Sequence, residues 1–316
     1  MSSPGIDAHA PTSLWARFSQ RPALLLILTT LIWGTNAVAA RLAVGQVSPM
    51  MLTAARWSIA CIALWFMARR QVAACWPALR PRWRYLLLMG TAGFTGFNAL
   101  FYTAAHHTTA VNLALIQGVI PVLVLLGGAL VLRLHVKPLQ MLGVAATLAG
   151  VAVVAARGQW AALAALDFNV GDVAILLASL LYAGYTLGLR GRPAVPPLVF
   201  FAAVAAVAAL VSLPLLAAEV LAGRFFWPTP LGWLLVLYVG LMPSFVSQIT
   251  FIRGVELIGP ARASVFLNLT PVFGPALAVL LLGEPLHLYH VAALAMVLGG
   301  IWIAERMGAR RALQNQ

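Results

Sequence analysis

The chain has 316 residues, of which 62% are hydrophobic and only 9% charged, and it carries a net charge of +13. Charged residues make up about a quarter of an ordinary soluble domain, so this composition excludes one. The excess positive charge does not trace a nucleic-acid stripe, because the arginines fall between apolar runs and near the termini.

Taken in order, a tail over residues 1–22 precedes a first apolar span at about 23–43. Within it, Ala37-Val38-Ala39 has the look of a signal-peptidase site, which makes a cleaved leader a rival reading of this span. The second span, about 49–68, contains Arg56, a costly residue at that depth; a structural role such as bonding carbonyls at a broken helix is the leading reading, and attraction of a carboxylate the alternative. An arginine-rich segment follows, and the third span covers about 84–104. There Phe94, Asn98, Phe101 and Tyr102 recur at helical spacing. A His106-His107-Thr108 turn leads into the fourth span, which is interrupted by Pro121, and the fifth covers about 138–156. The weakly apolar stretch 157–171 joins the halves. The sixth span, about 172–190, carries Tyr182 and Thr186. The seventh covers about 195–218, and the eighth, about 231–252, carries Ser244, Gln248 and Phe251. The ninth is interrupted by Pro271, the tenth covers about 286–304, and a tail runs over 305–316. Each run approaches the ~20 residues that cross a bilayer as a helix.

Pro121 and Pro271 lie 150 residues apart, and the offset recurs: Gly34 meets Gly184, Trp83 meets Trp233, Gly90 meets Gly240, Asn98 meets Gln248 and Gly150 meets Gly300. The chain therefore reads as two copies of one unit, 23–156 and 172–304. Cleavage after residue 39 would destroy that symmetry, which argues against a leader. Proline removes an N–H and kinks its helix. Interrupted spans at matching places in two halves point to a transporter's binding site.

The basic residues set an orientation. With the N-terminus in the cytoplasm, 16 of the 20 Lys and Arg fall on the cytoplasmic side, 3 on the other, and Arg56 within a span. Both termini are then cytoplasmic. Five spans per copy is an odd number, so the copies must be inverted. The expected fold is an all-α integral membrane protein, with ten transmembrane helices as two inverted five-helix repeats around a central cavity.

Trp33-Gly34-Thr35-Asn36, the stretch from Ser48-Pro49 to Ala55-Arg56-Trp57, and Pro271 followed by Gly283-Glu284-Pro285 and Gly299-Gly300 together form a recognisable set. Over about 23–304 the chain resembles the EamA-type members of the drug/metabolite transporter superfamily. Within them it is most similar to the YddG-type exporters of aromatic and other amino acids. The resemblance implies a cavity lined by spans 1, 3, 4, 6, 8 and 9, and export across a bacterial inner membrane. Arg133, Leu134 and His135 stand where the second half has Gly283-Glu284-Pro285, so the first half inherits no role from that glutamate.

A zwitterion with an aromatic body needs polar groups for its ends and apolar walls for its ring. The candidates are Trp33, Asn36, Phe94, Asn98, Phe101, Tyr102, Gln117, Tyr182, Thr186, Ser244, Gln248, Phe251 and Asn268, with Pro121 and Pro271 as kinks. For the aromatics, packing or an interfacial belt is an equally good reading, and for the amides a helix–helix hydrogen bond. His106 and His107 could sense pH or sit solvated in their turn. Cys61 and Cys75 form no disulfide framework, and no cofactor or metal is expected. The expected partners are a small-molecule substrate and the lipid bilayer, with no nucleic acid. An exporter of cationic drugs or nucleosides is the nearest alternative. An embedded enzyme or sensor would need an acid, base or metal cluster that the sequence does not display.

Overall fold

A computed structural model describes residues 19–133, 136–159 and 169–314. Residues 1–18, Leu134 and His135, residues 160–168 of the connecting stretch, and 315–316 lie outside the described residues. Among the described residues there are only helices and their connections. In chain order they are α1 (Pro22–Leu42), α2 (Pro49–Leu79), α3 (Trp83–Gly90), α4 (Phe97–Ala104), α5 (Ala110–Gln117), α6 (Ile120–Leu132) and α7 (Pro138–Ala155), then α8 (Val170–Gly188), α9 (Pro197–Leu221), α10 (Pro230–Leu241), α11 (Ser247–Ile258), α12 (Pro260–Leu267), α13 (Thr270–Leu282) and α14 (Leu288–Gln314).

Local chemistry explains where they start. Helices α1, α2, α7, α9, α10 and α12 begin on proline, whose fixed φ suits the first helical position and whose missing N–H costs nothing there. The side chains of Thr109, Asn169 and Thr229 cap α5, α8 and α10. Two of these starts, those of α2 and α5, are capped from a distance as well. The Glu219 carboxylate accepts from the N–H groups of Met50 and Met51, and Glu284 accepts from those of Ala110 and Val111.

The interruptions are paired between halves. A π-helical turn at Thr91–Gly96 joins α3 to α4, and another at Met242–Val246 joins α10 to α11. Short breaks separate α5 from α6 just before Pro121, and α12 from α13 just before Pro271. Helices α6 and α13 both end in a left-handed residue, Arg133 and Gly283.

By length and composition, eight helical stretches could cross a membrane, and Leu288–Ala304 is a shorter apolar helix. One of the eight, Pro49–Ala104, is 56 residues long. It folds back near Arg80–Arg82, since α2 packs against α4. The outward surface is apolar, with Phe66, Leu130, Leu221 and Leu280 each more than three-quarters exposed. An apolar surface of this extent suits lipid.

Packing repeats across the halves. Helix α1 lies against α11 and α13, as α8 lies against α4 and α6; α2 packs on α9, and α7 on α14. Matched glycines permit this. A Cβ on Gly90 would stand 2.6 Å from Val207 Cγ1, and one on Gly240 would stand 2.8 Å from Ile59 Cβ. Ala37, Val38 and Ala39 are buried in α1, within the main apolar cluster.

Candidate functional site

The interruptions in the helices converge on a cavity of about 160 Å³. A cavity of about 150 Å³ is enough to hold benzene, so this one admits a small aromatic or aliphatic body. Of the residues singled out by sequence, Trp33, Asn36, Phe94, Asn98, Gln117, Tyr182, Gln248 and Asn268 line it, together with both Pro121 and Pro271. The broken helices bring them together. Gly118 and Asn268, at the breaks before the two prolines, face the same space. There the chain tightens to i→i−3 bonds, as from Gly118 N–H to Leu115 O and from Leu269 N–H to Phe266 O.

Phe101, Tyr102, Thr186, Ser244 and Phe251 lie outside that lining. Phe101 is fully buried and stacks on Phe97, 5.7 Å between centroids. Phe97, one turn earlier on the same face of α4, takes the lining place that spacing gave to Phe101. The Thr186 hydroxyl bonds back to Tyr182 O, and Phe251 backs Trp33 at 5.5 Å. Tyr102 and Ser244 stand one layer behind the wall, bonded to the residue that sequence placed elsewhere.

That residue is Arg56. Span 2 was not expected in the cavity, yet Arg56 and Trp57 both line it, as do Pro243, Thr270 and Ile301. Arg56 is 4% exposed and bonds side chains, not the open carbonyls of a broken helix. Its Nε donates to Ser244 Oγ at 2.7 Å, and Nη1 donates to Asn98 Oδ1 and to the Tyr102 hydroxyl. A carbonyl does take part, at one remove. Pro243 has no N–H to offer Val239 O, so the Ser244 hydroxyl donates to that oxygen at 2.7 Å while accepting from Arg56. The second π-helical turn is thereby tied to the guanidinium. One signal could have found this: a charged residue within an apolar run, with an asparagine and a tyrosine one turn apart in the next span.

The network continues. Tyr102, accepting from Arg56, donates to Asn36 Oδ1 at 3.1 Å, which turns the Asn36 amide so that its NH2 is left over. Asn98 Nδ2 donates to Phe94 O at 2.6 Å, so both ends of Asn98 are used within the protein. The walls are aromatic. Trp57 stacks flat on Phe94 at 4.4 Å, the Arg56 guanidinium lies 5.2 Å from the Trp57 ring centre, and Phe97 meets Tyr182 at 5.2 Å. Among the described lining residues Arg56 is the only charged one.

A second cavity, of about 270 Å³, lies at the bundle end that carries the 105–109 turn, with Arg41, His106, His107 and Asn112 in its wall. That end is heavily cross-bonded. Thr108 bonds Asp172 at 2.5 Å, Asn169 donates to His107 O at 2.7 Å, Arg41 donates to Ala105 O at 2.9 Å, and Thr229 bonds Gln46 at 2.5 Å. Burial, then His107 and Arg41, push the His106 imidazole below its ordinary 6.5, against a smaller opposing pull from Glu219. Among the described residues no group of three or more His, Cys, Asp or Glu could hold a metal ion.

Comparison with known proteins agrees with the paired architecture. The EamA-like transporter family matches twice, over residues 20–156 and 169–305. The uncharacterized transporter YyaM of Bacillus subtilis is 25% identical over 288 residues, covering 89% of this chain and 92% of its own length. The uncharacterized transporter YetK of the same organism is 24% identical over 276 residues, covering 86% and 83%. A solved crystal structure matches 92% of this chain and 98% of its own with a TM-score of 0.63, at 21% identity, a likeness of fold alone. Two matched repeats spanning most of the sequence place this multi-pass membrane protein in the EamA-like transporter family.

Proposed function

We propose that this protein exports aromatic and other neutral amino acids, or similar small metabolites, across a bacterial inner membrane by alternating access. In this reading it has ten crossings. The 56-residue stretch would be about 84 Å long as one helix at about 1.5 Å per residue, far more than a bilayer of about 30 Å, so it counts twice. With Leu288–Ala304 added, two five-helix units result, 23–156 and 172–304, inverted relative to one another, with 157–171 between them and the tails 1–22 and 305–316 cytoplasmic. The paired π-helical turns and paired breaks support the repeat. The excess of basic residues on one side supports the orientation.

The observation that carries the proposal is the cavity where the two broken spans meet. Aromatic rings and uncharged amides line it, at a size suited to a small ring-bearing solute. No Asp or Glu is among the described lining residues, so the usual proton-exchanging carboxylate of a cation exporter has no counterpart among them. Substrate then moves down its own gradient, with the halves rocking about the breaks at Pro121 and Pro271. A cationic-drug exporter is disfavoured by Arg56, which would repel its cargo. Counterflow of labelled amino acids in proteoliposomes, with pH gradient and membrane potential clamped at zero, tests the reading. Uptake competed by unlabelled aromatic amino acids is expected. Movement only under an imposed proton gradient would overturn the uncoupled mechanism, and no movement under any gradient would overturn the export reading.

A further inference from the structure

The described residues contain a single salt bridge, Arg253 with Glu256. Arg56 is therefore a buried guanidinium without a carboxylate partner among the described residues, and it lines the central cavity. An uncompensated charge in such a place is strongly unfavourable, and an arginine within a membrane span calls for a named partner. Its hydrogen bonds use Nε and Nη1, and the two N–H groups of Nη2 take part in none of them. Asn36 adds a second set of donors, because Tyr102 occupies its oxygen and leaves Nδ2 uncommitted. Both residues line the same space. Arg56 and Asn36, linked through Tyr102, thus bring uncommitted donors to the cavity wall, one of them cationic, which is the complement of an acceptor-only anion.

The other polar groups differ. Gln117 spends its NH2 on Leu113 O at 3.0 Å and keeps its oxygen, and Gln248 lines the cavity with a neutral amide. Such groups can accept from an ammonium but supply no charge for it. We propose that Arg56 and Asn36 read a carboxylate, so that the substrate must carry one and needs no amino group. A monoanion matches the single guanidinium, whereas the dianion of a phosphate monoester would keep an unpaired charge in an otherwise uncharged cavity. The inference rests on the transport reading for its biological meaning, but binding tests it separately.

The test is a binding titration of the purified full-length protein in detergent with four probes of one body: 3-phenylpropionate, phenylalanine, 2-phenylethylamine and phenyl phosphate. Trp33 and Trp57 in the cavity wall provide the fluorescence signal. The acid and the zwitterion are expected to bind within a few-fold of one another, and the amine and the phosphate at least tenfold more weakly. Losing a charge-assisted hydrogen bond corresponds to about ten- to a hundredfold in affinity, so Arg56→Gln should lose that much for the acid, and Arg56→Lys should recover part of it. The wild-type panel decides the matter even where the variants fail to fold. Equal binding of amine and acid overturns the inference and leaves the transport reading intact. Binding of none of the four, while labelled amino acids still undergo counterflow, also overturns it. The expected ranking without counterflow of any solute upholds the inference and overturns the transport reading. Absence of both binding and counterflow overturns the two together.

Discussion

The two halves of this molecule share a scaffold and differ in chemistry. Their helix interruptions coincide at the 150-residue offset, with π-helical turns at Thr91–Gly96 and Met242–Val246 and breaks before Pro121 and Pro271. Helices α2 and α9 align from their first prolines, Pro49 and Pro197, and bury corresponding faces. In that alignment Arg56 falls on Val204 and Trp57 on Ala205, both fully buried and apolar. Across the π-helical turns Phe94 falls on Ser244, Asn98 on Gln248 and Tyr102 on Ile252. The first half holds the charge, its acceptors and its stacking ring; the second contributes the hydroxyl of Ser244. A duplicated backbone can provide two matching gates, while one substrate with distinct ends calls for a one-sided site.

The difference can be broken most severely by moving the charge. Val204→Arg would bury a guanidinium among Phe94, Phe201 and Ala208, with none of the acceptors that serve Arg56. We expect a loss of about 3–5 kcal/mol, seen as a lower unfolding midpoint in detergent and poor yield of folded protein. Normal stability would mean that the second half can host the site as well.

The shared scaffold predicts symmetry instead. Gly90→Val and Gly240→Val each push a side chain into the facing helix, Val207 in one case and Ile59 in the other. Each should cost about 1–3 kcal/mol, with closely similar values. A harmless change in only one of them would deny that the two contacts are equivalent.

Asn98 and Gln248 sharpen the contrast at matched positions. Asn98→Leu removes the acceptor of Arg56 and should cost about 1–3 kcal/mol in folding as well as reducing transport. Gln248→Leu should change stability by no more than about 0.5 kcal/mol, so that its effect falls on transport alone. Thermal unfolding and efflux kinetics measured on the same preparations separate the two.

The smallest effect concerns the 105–109 turn. The folded protein holds His106 below 6.5, so as pH falls through that value the unfolded chain takes up the proton first. Folding stability should therefore decline below about pH 6.5, and His106→Gln should lessen the decline. Transport should stay flat between about pH 7 and 8, above the ordinary 6.5 below which the folded protein holds this imidazole. A variant that shifts the transport profile in that window would return proton coupling to this turn.

Much of this was legible in the sequence because it depends on local rules. Apolar runs of bilayer length, prolines inside them and a fixed offset gave the helices, their breaks and the paired halves, and eight of the thirteen candidate side chains line the cavity. Arg56 was misplaced because its position depends on rotation between helices. The π-helical turn at Thr91–Gly96 lies between α3 and α4, so a single 3.6 period does not carry through the third span to the Asn98 and Tyr102 that meet Arg56. Phe97 and Phe101 share one face of α4 a turn apart, and depth along the helix, which periodicity does not give, decides which of them lines the cavity. The tie from Arg56 through Ser244 to Val239 needs Pro243 to have opened the turn, and no single-residue pattern reveals this.

The central claim is that one guanidinium, in one half, holds the substrate's anionic end. Magnetic-resonance distance measurement in lipid, between a 13C-carboxylate label on phenylalanine and 15N-labelled arginine side chains, addresses it directly. The account predicts a carboxylate carbon within about 4 Å of guanidinium nitrogen, the reach of an ion pair. The signal should vanish in Arg56→Lys while phenylalanine still binds. A coupling that survives that substitution, or bound ligand with no coupling in the wild type, would contradict it.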